Sequence, residues 1–199
     1  MVMFMNTDLA GASIKSCYIR LIKYLAFLLI ATTISLLLFI YSGLYPMGAD
    51  TPHNKFTYWA LETLRDRSVA RAASNIKVPE NISSSERLLR GGPDYNEMCV
   101  SCHLSPGKSE TDFTKGLYPS PPNLTERPEG TLTEAQHDQR RFWIIKHGIK
   151  ASGMPSWAPG HDDQRIWDMV AFLKKLPELS PEQYQILTSR DTGNSSHAH

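Results

Sequence analysis

The chain is short of several things, and each shortage removes a class of explanation. Its 199 residues include three cysteines, Cys17, Cys99 and Cys102, so no second cysteine pair exists to complete a four-ligand structural zinc site. Acidic and basic residues nearly cancel, leaving a formal charge of +1. No Lys/Arg cluster forms a basic stripe, and nothing argues for nucleic acid as a partner. No internal repeat is evident, and no run reads as a strand, which leaves an all-α chain as the expectation.

Charge is absent from one long stretch, YLAFLLIATTISLLLFIY, residues 24–41. At ~1.5 Å per residue it spans about 27 Å, close to a hydrocarbon core, with a tyrosine at each edge. Lys15, Arg20 and Lys23 precede it, and the first charge after it is Asp50. The positive-inside rule therefore predicts a single-pass inner-membrane anchor, with residues 1–23 cytoplasmic and the rest in the periplasm. The rival is a cleaved leader cut near YPMGA. A leader's apolar region is usually about 7–15 residues, and an Ala-x-Ala site is missing just after Tyr41. Both readings export the rest of the chain. Cys17 stays on the cytoplasmic side as an incidental thiol.

Residues 42–84 read as a juxtamembrane segment. Phe56, Trp59, Ala60, Thr63 and Leu64 recur at helical spacing, with Arg65, Arg67 and Arg71 behind them. Such a helix either lies on the outer leaflet or packs on the soluble domain. NIKVPENISSSE reads as a linker. A helix is expected over about 85–102, kinked or broken where Gly91, Gly92 and Pro93 interrupt it. Residues 104–130, with five prolines, read as loop, and a loop of that length points to a cofactor that holds it. TLTEAQHDQRRFWIIKHG starts with Thr131 or Thr133 as N-cap and ends at Gly148. DDQRIWDMVAFLKKL carries an apolar stripe of Ile166, Trp167, Val170, Phe172 and Leu173, with charges at its ends that suit the helix dipole, and Pro177 stops it. Residues 188–199 are polar and expected to be a disordered tail.

Residues 97–107, EMCVSCHLSPG, hold two cysteines three apart with a histidine directly after. In a c-type haem site two such thiols add across the porphyrin vinyl groups and the histidine ligates the iron, and the spacing puts Cys99, Cys102 and His103 along one helical turn. A thioredoxin-like pair wants a strand-helix-strand setting that is missing here. A plain disulfide is chemically allowed in an oxidising compartment. One covalent haem is the expectation. Its iron needs a sixth ligand, or an open position for gas or peroxide. Met154, in the loop SGMPSW, is the candidate. Met169 sits within an apolar helix, Met98 adjoins a thioether cysteine, and His147 and His161 sit at helix boundaries.

From about Ser85 to Leu187 the sequence resembles the class I c-type cytochromes. RGGPDYNEMCVSCH is similar to the family's first helix, with Gly91 and Tyr95 where a glycine and an aromatic let the first and last helices approach. Trp167 and Phe172 in IWDMVAFLKKL are similar to the partner helix, and GMPSW to the methionine-ligand loop. PPNLT resembles the family's Pro-Asn-Leu segment, which implies that the Pro122 carbonyl accepts a hydrogen bond from His103. Leu104 departs from the glycine common after the attachment histidine. His53 to Ala73, with HGIKASGMPSWAPGHDD, also looks like a subgroup of bacterial membrane-anchored cytochromes. The resemblance implies three to five helices around the haem over residues 85–187, with His103 and Met154 as axial ligands.

With both axial positions filled, electron transfer is the expected activity, in a pocket of Tyr95, Trp143, Trp157, Trp167 and Phe172. The chain would then be a carrier rather than an enzyme, or a subunit of an oxidoreductase complex. Its donor would be a quinol-oxidising complex or dehydrogenase, and its acceptor a terminal oxidase or reductase. Two other classes stand beside this: a haem sensor or peroxidase in which Met154 is labile, and a metal-handling protein using His197 and His199.

Overall fold

The computed structural model describes residues 7–190. It is all-α and falls into two units, residues 1–48 and 49–199. The first unit is a long helix, α1 (Thr7–Ser42). An 18-residue stretch between Lys15 and Ser42 has a mean hydropathy of 2.3, and none of it is buried. Twenty-eight residues span ~42 Å as a helix, more than the ~30 Å of a hydrocarbon core. The expected segment 24–41 therefore lies inside a longer helix, whose earlier turns carry Lys15, Arg20 and Lys23. Its polar side chains satisfy themselves: the hydroxyls of Thr32 and Thr33 donate to Leu28 O and Leu29 O at 2.8 Å, and Ser42 donates to Phe39 O at 2.7 Å. That suits a solvent which offers no hydrogen bonds. By length and composition this is a membrane protein with one N-terminal apolar helix among its described residues.

The second unit contains α2 (Lys55–Ala73), α3 (Ser85–Met98), α4 (Val100–His103), α5 (Asp112–Gly116), α6 (Glu134–His147), α7 (Asp163–Lys175) and α8 (Pro181–Thr188), with a single 3-10 turn at Leu176–Glu178. Side-chain caps set most of the starts. Asn54, Ser84, Thr133, Asp162 and Ser180 each accept a hydrogen bond from the backbone three residues on. Thr133 and Gln136 complete a capping box, as do Ser180 and Gln183.

α7 is the centre of the packing. Every residue from Ile166 to Leu173 is buried, so α7 has neighbours all round rather than an apolar stripe alone. α3, α6 and the 3-10 turn lie against it. Phe142 stacks on Trp167 with ring centroids 4.2 Å apart, and Tyr95, Phe172 and Tyr184 form an aromatic triangle. The expected linker also joins this core, through buried Ile82 and half-buried Ile76 and Val78.

A kink or break is expected at Gly91–Gly92–Pro93, and the helix is not broken there. α3 runs through all three residues and ends at Met98. A Cβ on Gly91 would lie 2.0 Å from Asp168 O, and one on Gly92 would lie 2.3 Å from Leu187 O. The glycines are contact points where the backbones of α7 and α8 press on α3, and that packing offsets the helix cost of glycine and Pro93, about 1 and 3 kcal/mol each. Two further elements carry only weak sequence signals: α5 is a single turn, and α8 is short. The packed chain continues to Arg190, which pairs with Asp94 at 3.2 Å and Glu97 at 2.5 Å. Residues 191–199 lie outside the described residues.

Three buried carboxylates tie the helices together. Asp168 of α7 accepts from Arg87 and Arg90 of α3 at 2.6 Å each, and Arg90 also pairs with Glu86. Asp94 of α3 takes a two-pronged contact from Arg165 of α7 at 2.6 and 2.9 Å. Asp138 of α6 accepts from Lys174 of α7 at 2.7 Å.

Gly91→Ala is expected to lower unfolding stability by about 3 kcal/mol or more, because its Cβ meets backbone that cannot rotate away. Gly116→Ala, with open space at its Cβ, should change it by less than about 1 kcal/mol. Urea denaturation of both variants would check the pair, and equal losses would refute the close-approach reading. By the same assay Asp168→Asn should cost about 3 kcal/mol, since Arg87 would be left without its buried anion.

Candidate functional site

Tyr95 N-terminal to the motif and Leu124 beyond it hold the CVSCH turn in place. Cys99 N donates to Tyr95 O at 2.9 Å, and His103 N and Cys102 N return to Cys99 O at 2.9 and 3.1 Å. α4 is thus one separate turn carrying Cys102 and His103, with Cys99 as its N-cap. The Tyr95 hydroxyl donates to Leu104 O at 2.6 Å and stands 3.2 Å from His103 O, while Leu124 N donates to His103 O at 3.2 Å. Burial raises the Tyr95 hydroxyl's pKa well above the ordinary phenol value, keeping it a donor.

Both thiols are free and half-buried. Burial, helped by the negative charge of Asp94, pushes the Cys99 thiol up to about 12. A dithiol redox centre needs the opposite shift, toward thiolate. Among the described residues no three His, Cys, Asp or Glu side chains gather as ligands for a metal ion.

His103 Nδ1 lies 2.8 Å from Pro122 O. A carbonyl only accepts, so Nδ1 carries the hydrogen and Nε2 keeps its lone pair. Burial holds the His103 pKa below its ordinary value, against the opposing pull of the Pro122 bond. The result is a neutral imidazole, fixed in tautomer, with one nitrogen available to ligate.

Leu104 follows with φ 70° and ψ 167° and is buried. That region is close to glycine-only, so the leucine stores about 1–3 kcal/mol of strain, offset by the burial of its side chain. The departure from glycine at 104 therefore falls on a backbone conformation that glycine would adopt freely.

Met154 sits in a loop folded back on the end of α6. Ile149 N donates to Met154 O at 3.1 Å, Trp157 N to Ile145 O and Ala158 N to Lys146 O at 3.1 Å each, and the Ser156 hydroxyl to Lys146 O at 2.7 Å. Gly148 makes the fold-back possible. Its φ is +65°, and a Cβ there would lie 2.7 Å from the backbone of Pro155 and Ser156. Met154 is half-buried and packs on the same core as Cys99, Val100 and Leu124.

The other candidates fall elsewhere. Met169 is 1% exposed within α7, and Met98 packs half-buried on the core. His147 is exposed with its ring 5.0 Å from that of Trp143, and His161 Nδ1 lies 2.9 Å from Trp157 O. Of the five aromatics expected to form one pocket, Tyr95, Trp167 and Phe172 are in the core and Trp157 packs against it, but Trp143 stands outside. His197 and His199 lie outside the described residues. Sequence reasoning missed Leu117, whose side chain would be 2.9 Å from a Cβ on Gly153 and so borders the Met154 loop. No local signal marks a contact across that separation in the chain.

Residues 86–173 match the family model described as cytochrome c oxidase, cbb3-type, subunit III. The span runs from α3 to near the end of α7 and includes Cys99, Cys102, His103, Pro122 and Met154. No curated protein and no solved structure matches the chain.

Gly148→Ala should cost about 2 kcal/mol or more in urea and loosen the loop that follows. Faster tryptic cleavage after exposed Lys150 would report the loosening. Wild-type stability and cleavage rate would show that the loop does not depend on this glycine.

Proposed function

We propose that the second unit is a class I c-type cytochrome domain that binds one haem c, and that the chain serves as a membrane-held electron carrier of a respiratory oxidase or reductase system. The observation that carries the reading is His103: a half-buried, neutral imidazole with Nδ1 held by Pro122 and Nε2 left to ligate, on the same turn as two free cysteines. The similarity of residues 86–173 to a subunit of cbb3-type oxidase supports it.

The donor set fits the group. Cys99 and Cys102 would form thioethers with the vinyl carbons by addition of S–H across each double bond. His103 Nε2 and the Met154 thioether would be the protein's ligands to the iron. A single Cys-x-x-Cys-His motif allows one such attachment. Bound haem c supplies a one-electron Fe(III)/Fe(II) couple. The chain's own residues do the rest. Pro122 raises the basicity of His103 and fixes its plane. Tyr95 and Leu124 hold the turn on the core, and the fold-back at Gly148 presents Met154.

The soft sulfur ligand and a low-dielectric setting favour Fe(II), which gives a high potential. With His103 and Met154 both engaged as ligands, electron transfer would be the activity left to the bound group. Lys15, Arg20 and Lys23 before the apolar run, and no charge after it until Asp50, support a cytoplasmic N-terminus and a periplasmic haem domain. The donor is a quinol-oxidising complex or dehydrogenase, and the acceptor a terminal oxidase or reductase.

Purified protein should show the weak far-red band of sulfur bonded to ferric haem. Met154→Ala should abolish that band and lower the midpoint potential. A Cys99→Ser, Cys102→Ser double variant should retain no haem on a denaturing gel. Haem held by that variant would sink the covalent assignment. A missing far-red band together with carbon monoxide binding to the reduced wild type would move the iron to an open site and the protein to sensing or peroxide chemistry.

A further inference from the structure

α2 has two faces that do different things. One is fastened to the second unit. Val69 and Ala73 are each 2% exposed, α2 packs on α6, and Arg140 reaches back to Asp66. The segment before α2 is held as well, because His53 N donates to the Tyr118 hydroxyl at 3.1 Å and the two rings meet edge to face.

About half a turn away from Val69 and Ala73 lies the stripe of Phe56, Ala60, Leu64, Arg67 and Arg71, flanked by Trp59 and Thr63. Phe56 is 73% exposed, Trp59 59% and Leu64 68%. The Phe56 and Trp59 rings lie 5.9 Å apart, and Arg67 and Arg71 are exposed. The stripe is graded along its length, with apolar and aromatic side chains over the first three turns and guanidiniums over the last two.

We infer that this face docks on the surface of a bilayer containing anionic phospholipid, with Phe56, Trp59 and Leu64 at the acyl boundary and Arg67 and Arg71 at phosphates. Two observations choose a membrane over a protein. The face joins apolar and aromatic side chains to guanidiniums, the combination that an anionic bilayer surface takes up, and aromatic rings favour that depth. The second is the chain itself: twelve residues separate Ser42, the end of the membrane-length helix, from Lys55, the start of α2. That connection reaches no more than ~47 Å, so a bilayer holding α1 is always within reach of α2 at high effective concentration. Basic residues also exceed acidic ones in α2, Lys55, Arg65, Arg67 and Arg71 against Glu62 and Asp66. Because α2 is fastened to α6, such docking restricts the tumbling of the whole second unit.

The test places the photoreactive residue p-benzoylphenylalanine at position 56, 64 or 182 of the full chain. Each chain is reconstituted in vesicles of phosphatidylethanolamine and phosphatidylglycerol and, separately, left in its native membrane. Phe56, Leu64 and Glu182 are all exposed, so none of these replacements removes a core side chain. After irradiation, mass spectrometry should find lipid adducts at 56 and 64 and none at 182. Adducts to another protein or to a second copy of the chain, with none to lipid, would overturn the inference and make the face a protein interface. No adduct at 56 or 64, or equal lipid adducts at all three positions, would overturn it as well.

Discussion

The second unit depends on one close approach. At Gly91 and Gly92 the backbone of α3 touches the backbones of α7 and the end of α8, with no room for a single methyl group. Contact at that distance draws the aromatic side chains of three helices into one cluster, and it brings Asp168 within reach of Arg87 and Arg90. Burying carboxylates alone would be costly, but each has a cation aimed at it. The same approach explains why α3 stays helical through two glycines and a proline: tertiary contact outweighs local preference.

The candidate site follows from that crossing. Tyr95 is one turn beyond Gly91 on α3, so the contact that seats α3 on α7 also seats Tyr95 against Phe172. Its hydroxyl then reaches over to Leu104 O and ties down the far end of the CVSCH turn. From there the restraints pass outward, through Leu124 to His103 O and through Pro122 to His103 Nδ1. The strained backbone of Leu104 is kept because Tyr95 and the buried leucine side chain both hold it. The imidazole is thus positioned by residues on both sides of it in sequence, and its neutral state follows from burial.

α2 shows how an ambiguous pattern resolves. The residues that recur at helical spacing, Phe56, Trp59, Ala60, Thr63 and Leu64, suggest a buried stripe or a lipid-facing one. The structure buries the opposite side instead, through Val69 and Ala73, which no apolar periodicity marks because both are small and lie near the end of the helix. The stripe stays exposed apart from half-buried Ala60, so packing on the domain and availability to a membrane are compatible properties of one helix.

Much was legible in the residues alone. The uncharged run, the caps at Thr133 and Gly148, the apolar stripe of α7 and the Cys-x-x-Cys-His spacing are all local, and local chemistry dictates them. Side-chain oxygens cap the nearest backbone donors, and apolar period reports the solvent a helix will meet. What acts between distant parts of the chain was not legible. That Gly91 and Gly92 are contact points and not breaks depends on Asp168 and Leu187, which lie far along the chain. The pairing of buried Asp94, Asp138 and Asp168 with their cations, the exclusion of Trp143 from the core, and the face that α2 turns inward were likewise decided by tertiary structure. Each depends on which surfaces meet, and no short-range pattern encodes that.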